Sequence, residues 1–209
     1  MNPSEVQSTV DRIRELIGQR SPKPLDTTTI RTAFQNSHIR VDEAHVRSTA
    51  NGAQSVEPRI GPADPGLCFG VVVPVLSDGR LMLTVRYRYA PAKWSVEFPR
   101  AVGHSGEDGW KALVEQRLLE DARLTCPNIR LLGAVNSEPL FNAVNALVFA
   151  GEDCQEVDTH AEEDNALLAG AVPVTSACLD QLIRQGTIEC GLTLAAVTMY
   201  RARSAAGCQ

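Results

Sequence analysis

Residues 86–124 read RYRYAPAKWSVEFPRAVGHSGEDGWKALVEQRLLEDARL, and the fold is decided there. A strand ends near Arg88 and a loop follows. A short apolar run over 94–98 then stops at Pro99. Next comes a turn region containing Gly103 and Gly106, and a helix begins near Asp108. The order is strand, glycine-bearing loop, acidic helix. That layout suits a phosphate-bearing ligand, with carboxylates on the helix to hold a divalent cation beside it.

Working outward, residues 67–76 form a nearly continuous apolar run with three consecutive valines, the pattern of a buried central strand. Ser77-Asp78-Gly79 makes a turn, and 80–88 returns with Leu81, Leu83 and Val85 alternating. After the helix over 109–123, strands are expected at 129–135, 143–150 and 167–174. Between the last two, 151–164 carries seven acidic residues and is expected to be a loop. Thr175 or Ser176 caps a helix that Gly186 ends, and 193–203 forms the last helix.

Upstream, Val6, Val10, Ile13 and Ile17, with Leu16, repeat at helical spacing until Gly18 and the prolines of 21–24. This amphipathic helix either covers its own domain or meets a partner subunit. Residues 27–34 are expected to form a second short helix, and 38–47 an edge strand. Asn51-Gly52 is a turn, and 58–65 is expected to be a loop. The expected division is a helical extension over 1–35 and an α/β (α+β) domain over 36–209, with a mixed sheet.

The 209 residues are 44% hydrophobic, enough for a sizeable core, and the formal charge is -5. Bulk nucleic-acid binding is not expected from that balance. No apolar run approaches a membrane span, and no secretory signal is visible. The six cysteines are widely spaced with no CxxC, so reduced thiols in a cytoplasmic protein are expected and a zinc site is not.

The order of elements resembles the Nudix hydrolases, and among them the ADP-ribose pyrophosphatase group. Residues 81–88, with Tyr87, look like that group's arginine-rich "QYR" strand. Residues 94–99 resemble its "WELP" lead, and Thr193-Leu194-Ala195-Ala196 its C-terminal segment. Gly106-Glu107 and the helix that follows resemble the Nudix box, G-x5-E-x7-R-E-U-x-E-E-x-G-U. The resemblance covers roughly 36–203 and implies a Nudix-like α/β/α sandwich.

The box departs from this pattern. Its opening glycine falls on Ala101, and its first glutamate agrees at Glu107. With one extra residue in the helix, the arginine position is Gln116 and the next glutamate is Arg117. The paired acids are then Glu120 and Asp121, and the last glycine is Arg123. Without it, the arginine position holds Glu115 and the pair falls on Leu119 and Glu120. An arginine at 117 lies four residues before Asp121, where it would neutralise that acid and repel Mg²⁺.

The resemblance implies metal-dependent hydrolysis of a nucleoside diphosphate linked to a moiety X, of ADP-ribose or nucleotide-sugar type. Mg²⁺ or Mn²⁺ would be held by Glu97, Glu107, Glu120 and Asp121. Glu162 or Glu163 would position the attacking water, and Arg86 and Arg88 would neutralise the diphosphate. Glu138 lies in the loop where that group contacts substrate. The group also forms homodimers. The alternative is a catalytically inactive relative that binds a nucleotide-like ligand or serves a regulatory role, and His104 is a further polar group in the loop. Plainer roles stand beside these: solvated acids at 162 and 163, an edge salt bridge at Arg86 and Arg88, and dipole stabilisation at Glu107.

Overall fold

The computed structural model describes residues 3–19, 23–104, 109–158 and 166–206. They form two compact units, 1–64 and 65–209.

The first unit holds helix α1 (Pro3–Gly18) and strands β1 (Leu25–Gln35), β2 (Ile39–Ser48) and β3 (Gln54–Pro62). The strands form an antiparallel sheet in the order β1-β2-β3. The second helix expected over 27–34 is therefore a strand. Thr27, Thr28, Thr29 and Ile30 are β-branched in succession, which is unfavourable in a helix and well suited to a pleated surface. Of the expected helical extension over 1–35, only α1 is helical. β2 is the central strand, not an edge. β3 occupies most of the expected 58–65 loop, and as an edge strand it accommodates Pro58. The Asn36 carboxamide closes the first hairpin by accepting from the His38 and Ile39 amides, each at 2.8 Å. Gly52, at φ +74°, closes the second.

The second unit is a mixed α/β layer structure. Its strands are β4 (Leu67–Leu76), β5 (Leu81–Arg88), β6 (Lys93–Glu97), β7 (Arg100–His104), β8 (Leu124–Thr125), β9 (Asn128–Val135), β10 (Ala146–Glu156) and β11 (Leu168–Val174). The main path is β11-β5-β4-β10-β8, with β6 on β5, β7 on β4 and β9 on β10. β10 runs parallel to β4, and the other pairings are antiparallel.

Helix α2 (Gly109–Ala122) packs on one face of the sheet; α3 (Ser176–Arg184) and α4 (Gly191–Ala206) pack on the other. β4 explains why. Val71 and Val73 join Leu179, Ala196 and Val197 in one core. Val72 joins Val114, Leu118 and Ala122 in a second core. A strand covered on both faces has no polar side, hence its unbroken apolar run. Thr175 caps α3 as expected, accepting from the Cys178 amide at 3.2 Å.

Three expectations change in this unit. Residues 100–104 form β7, paired along β4, where a turn was expected. β10 continues to Glu156 through an irregularity between Gly151 and Cys154, so the first part of the acidic segment is strand. Cys126 and Cys154 are joined in a disulfide with a Cα–Cα distance of 4.1 Å, contrary to six reduced thiols. Pairing of Gln155 with Thr125 brings their backbones together. Gly151 belongs to that contact: a Cβ there would lie 3.1 Å from each sulfur. No described helix is long and apolar enough to cross a membrane.

Candidate functional site

The face of β5 that carries Thr84 also carries Arg86 and Arg88, because strand side chains alternate. β6 lies antiparallel beside it, with Glu97 opposite Thr84 and Ser95 opposite Arg86. Glu97, Ser95 and the two arginines therefore share one surface. α2 brings its acidic end to the same place.

Glu97 is almost fully buried, its side chain only 1% exposed. Arg88 grips both of its oxygens, Nη2 on Oε1 and Nε on Oε2 at 3.2 Å. Arg100 adds Nη2 at 3.2 Å to Oε2, and the Ser95 hydroxyl donates to the same oxygen at 3.3 Å. A carboxylate out of water requires such partners, because unpaired burial is costly. Arg100 also reaches the Cys190 sulfur at 2.9 Å. Thr193 anchors the start of α4 to the end of β6, its hydroxyl accepting from the Phe98 amide at 3.1 Å.

Asp121 is buried on α2, its side chain 4% exposed. Arg86 Nη2 lies 2.6 Å from Oδ1 and Arg117 Nη1 lies 3.5 Å from the same atom. Burial raises the proton affinity of Asp121 above that of an ordinary aspartate, and the two guanidiniums only partly oppose it. Glu120, more exposed, accepts from the Gln116 amide at 2.7 Å and from Arg117 at 3.1 Å. Arg117 thus bridges the i+3 and i+4 acids of its own helix.

The helix end coincides with the glycine position of one of the two expected alignments. Arg123 has φ +52°, the left-handed position that ends many helices and that glycine occupies most readily. Its amide still donates to the Leu119 carbonyl at 3.1 Å. The box glycine falls on Arg123 only when the helix contains the extra residue. In the other alignment the paired acids fall on Leu119, which is exposed, and Glu120, and the arginine position holds Glu115, which pairs with Lys111 at 3.7 Å.

The expected residues fall into three groups. Arg86, Arg88, Glu97, Glu120 and Asp121 come together around β5, β6 and α2. Glu138 instead organises its own loop, where its carbonyl accepts from the Asn142 amide at 2.8 Å and its carboxylate from the Leu140 amide at 3.4 Å. Glu107, Glu162 and Glu163 lie outside the described residues. His104 ends β7, paired with Leu67. Tyr87, on the opposite face of β5, packs edge-on against Trp94.

Arg100 was not anticipated from the sequence. Its only signal is an i+3 relation to Glu97, which Pro99 obscured.

These residues do not fit a divalent ion. The carboxylates of Glu97, Glu120 and Asp121 are each engaged by at least one guanidinium. Among the described residues, four guanidiniums (Arg86, Arg88, Arg100, Arg117) stand against three carboxylates, an excess of one positive charge. Among the described residues no three acidic, histidine or cysteine side chains converge as ligands. The Nε atoms of Arg100 and Arg117 are buried without a hydrogen-bond partner among those residues. An arrangement with spare, buried cationic donors suits an anion.

No protein-family model matches the chain, and no curated protein matches it. Solved structures do: 112 chains match. One of them, described as the crystal structure of an ADP compounds hydrolase, superposes with a TM-score of 0.73. It is 16% identical, over 88% of this chain and 95% of that one. At this identity the likeness shows the fold, a Nudix-like mixed α/β arrangement.

Proposed function

We propose that residues 65–209 bind a small anionic molecule of the nucleoside diphosphate type, ADP-ribose or a nucleotide sugar, and act as a ligand-binding or regulatory form of this fold. One observation carries the reading: among the described residues, guanidiniums outnumber carboxylates on the β5–β6–α2 surface, and two of them keep buried N–H donors without partners there. A diphosphate supplies the acceptor oxygens and the negative charge that this surface lacks. Arg86 and Arg88 are the principal contacts, and Arg100 and Arg117 support them. The likeness to an ADP compounds hydrolase supports a ligand of this class.

The competing reading is weak metal-dependent hydrolysis. It is supported by the same likeness, and it needs Glu107 with Glu97, Glu120 and Asp121 for the ion and Glu162 or Glu163 for the water. A homodimer belongs to either reading. Val6, Ile13, Leu16 and Ile17 of α1 are exposed and available to a second copy.

Titration calorimetry of the intact chain against ADP-ribose, nucleotide sugars and free nucleoside diphosphates tests the proposal. Saturable one-site binding is expected for at least one compound, weakened about tenfold or more by Arg86→Ala. Absence of heat across the panel contradicts it. Release of AMP or phosphate in Mg²⁺, abolished by Glu120→Ala, favours hydrolysis instead.

A further inference from the structure

We infer that Arg117 is a built-in replacement for the divalent cation: its guanidinium holds the paired acids of α2 where an ion would otherwise bridge them, so this protein takes its anionic ligand without a metal. The ligand part of this inference rests on the diphosphate reading above; the cation part does not.

The geometry is specific to one side chain. Arg117 lies one helical turn before the acids, and its Nη1 reaches Glu120 Oε2 at 3.1 Å and Asp121 Oδ1 at 3.5 Å. A divalent ion binding those two oxygens has to displace that nitrogen. Arg86 closes Asp121 Oδ1 from the strand side at 2.6 Å, which adds a second positive charge against any incoming cation. Glu97 offers no vacant oxygen, because Arg88 and Arg100 hold both of its own. Charge and geometry therefore act together. The guanidinium supplies the neutralisation that an ion would supply, and the Arg117 Nε donor remains buried without a partner among the described residues.

One substitution reverses the arrangement. Arg117→Glu removes a positive charge and adds a carboxylate one turn before Asp121, the spacing at which helix carboxylates share an ion.

The test uses the intact chain and free Mn²⁺ alone, read by electron paramagnetic resonance in the absence of nucleotide. The expected result is no stoichiometric Mn²⁺ binding by the natural protein. Arg117→Glu is expected to gain one site at least about tenfold tighter, because two units of charge change beside the ion. That site is lost again when Asp121→Asn is added. Stoichiometric Mn²⁺ binding by the natural protein, weakened by Asp121→Asn, overturns the inference with no need for the charge-reversed variant to fold. A folded Arg117→Glu protein that gains no Mn²⁺ also overturns it.

The ligand part is read separately. Affinity for whichever diphosphate compound binds is expected to be unchanged between excess EDTA and millimolar Mg²⁺, and reduced by Arg117→Gln. A tenfold loss in EDTA overturns metal independence. A panel in which nothing binds defeats the diphosphate reading and the ligand part alone, and the Mn²⁺ result still decides the cation part.

Discussion

The Arg86 guanidinium lies 2.6 Å from Asp121 Oδ1, joining β5 to the buried end of α2 across 35 positions of sequence. This pair sets the electrostatics of the site. Asp121 is removed from water, and its charge is carried by Arg86 and Arg117.

Asp121 therefore titrates against stability in a defined direction. Burial, outweighing Arg86 and Arg117, raises its proton affinity above the ordinary aspartate value of 3.8. The folded state holds the proton more tightly than the unfolded chain. The stability contributed by this group is fully present below 3.8 and is lost as pH rises through the folded value. In urea titrations across the acid range, the stability of the natural protein relative to Asp121→Asn is expected to fall with rising pH. A relative stability that grows with pH refutes this sign.

Removing Glu97 exposes a different cost. Its carboxylate is shared by Arg88, Arg100 and Ser95, and those side chains would lose their common partner. The arginines are about a third exposed, so water recovers part of the loss. Glu97→Ala is expected to destabilise by about 2–3 kcal/mol in chemical denaturation. A change below about 0.5 kcal/mol would mean that the pair contributes little.

Arg123 sits in left-handed conformation at the end of α2, its side chain exposed. Arg123→Gly is expected to raise stability by about 1 kcal/mol, since glycine adopts that backbone without strain. Thermal denaturation reads the shift. Destabilisation by the glycine would indicate a helix that does not end there.

The Cys126–Cys154 bridge closes 28 residues of chain. Thiol counting in denaturant is expected to find two fewer reactive groups without reductant than with it. Cys126→Ser is expected to cost on the order of 3 kcal/mol through the loop released in the unfolded chain. Equal thiol counts would show that the bridge does not form.

Much of the second unit was legible because its signals are local. β4 follows from its apolar run, α3 from its Thr175 cap, and the turn at Gly79 from Asp78, which accepts from the Arg80 amide at 3.0 Å. The misread elements depend on partners. Residues 27–34 have apolar spacing that also fits a helix, and pairing with β2 decides for strand. β7 is five residues long and gains its definition from β4. The cysteines of the bridge have no close spacing to advertise it.

The site was legible in residue type and less so in connection. The clash between Arg117 and the acids follows from helical spacing alone. The grip of Arg88 and Arg100 on Glu97 depends on how long side chains cross between strands, which periodicity does not encode.

A crystal of the intact protein soaked in millimolar manganese, with anomalous scattering measured at the manganese edge, decides whether Arg117 stands in place of an ion. The Arg117 guanidinium is expected between Glu120 and Asp121, with no anomalous peak beside them. A manganese ion bonded to either carboxylate, with Arg117 turned away, would contradict it.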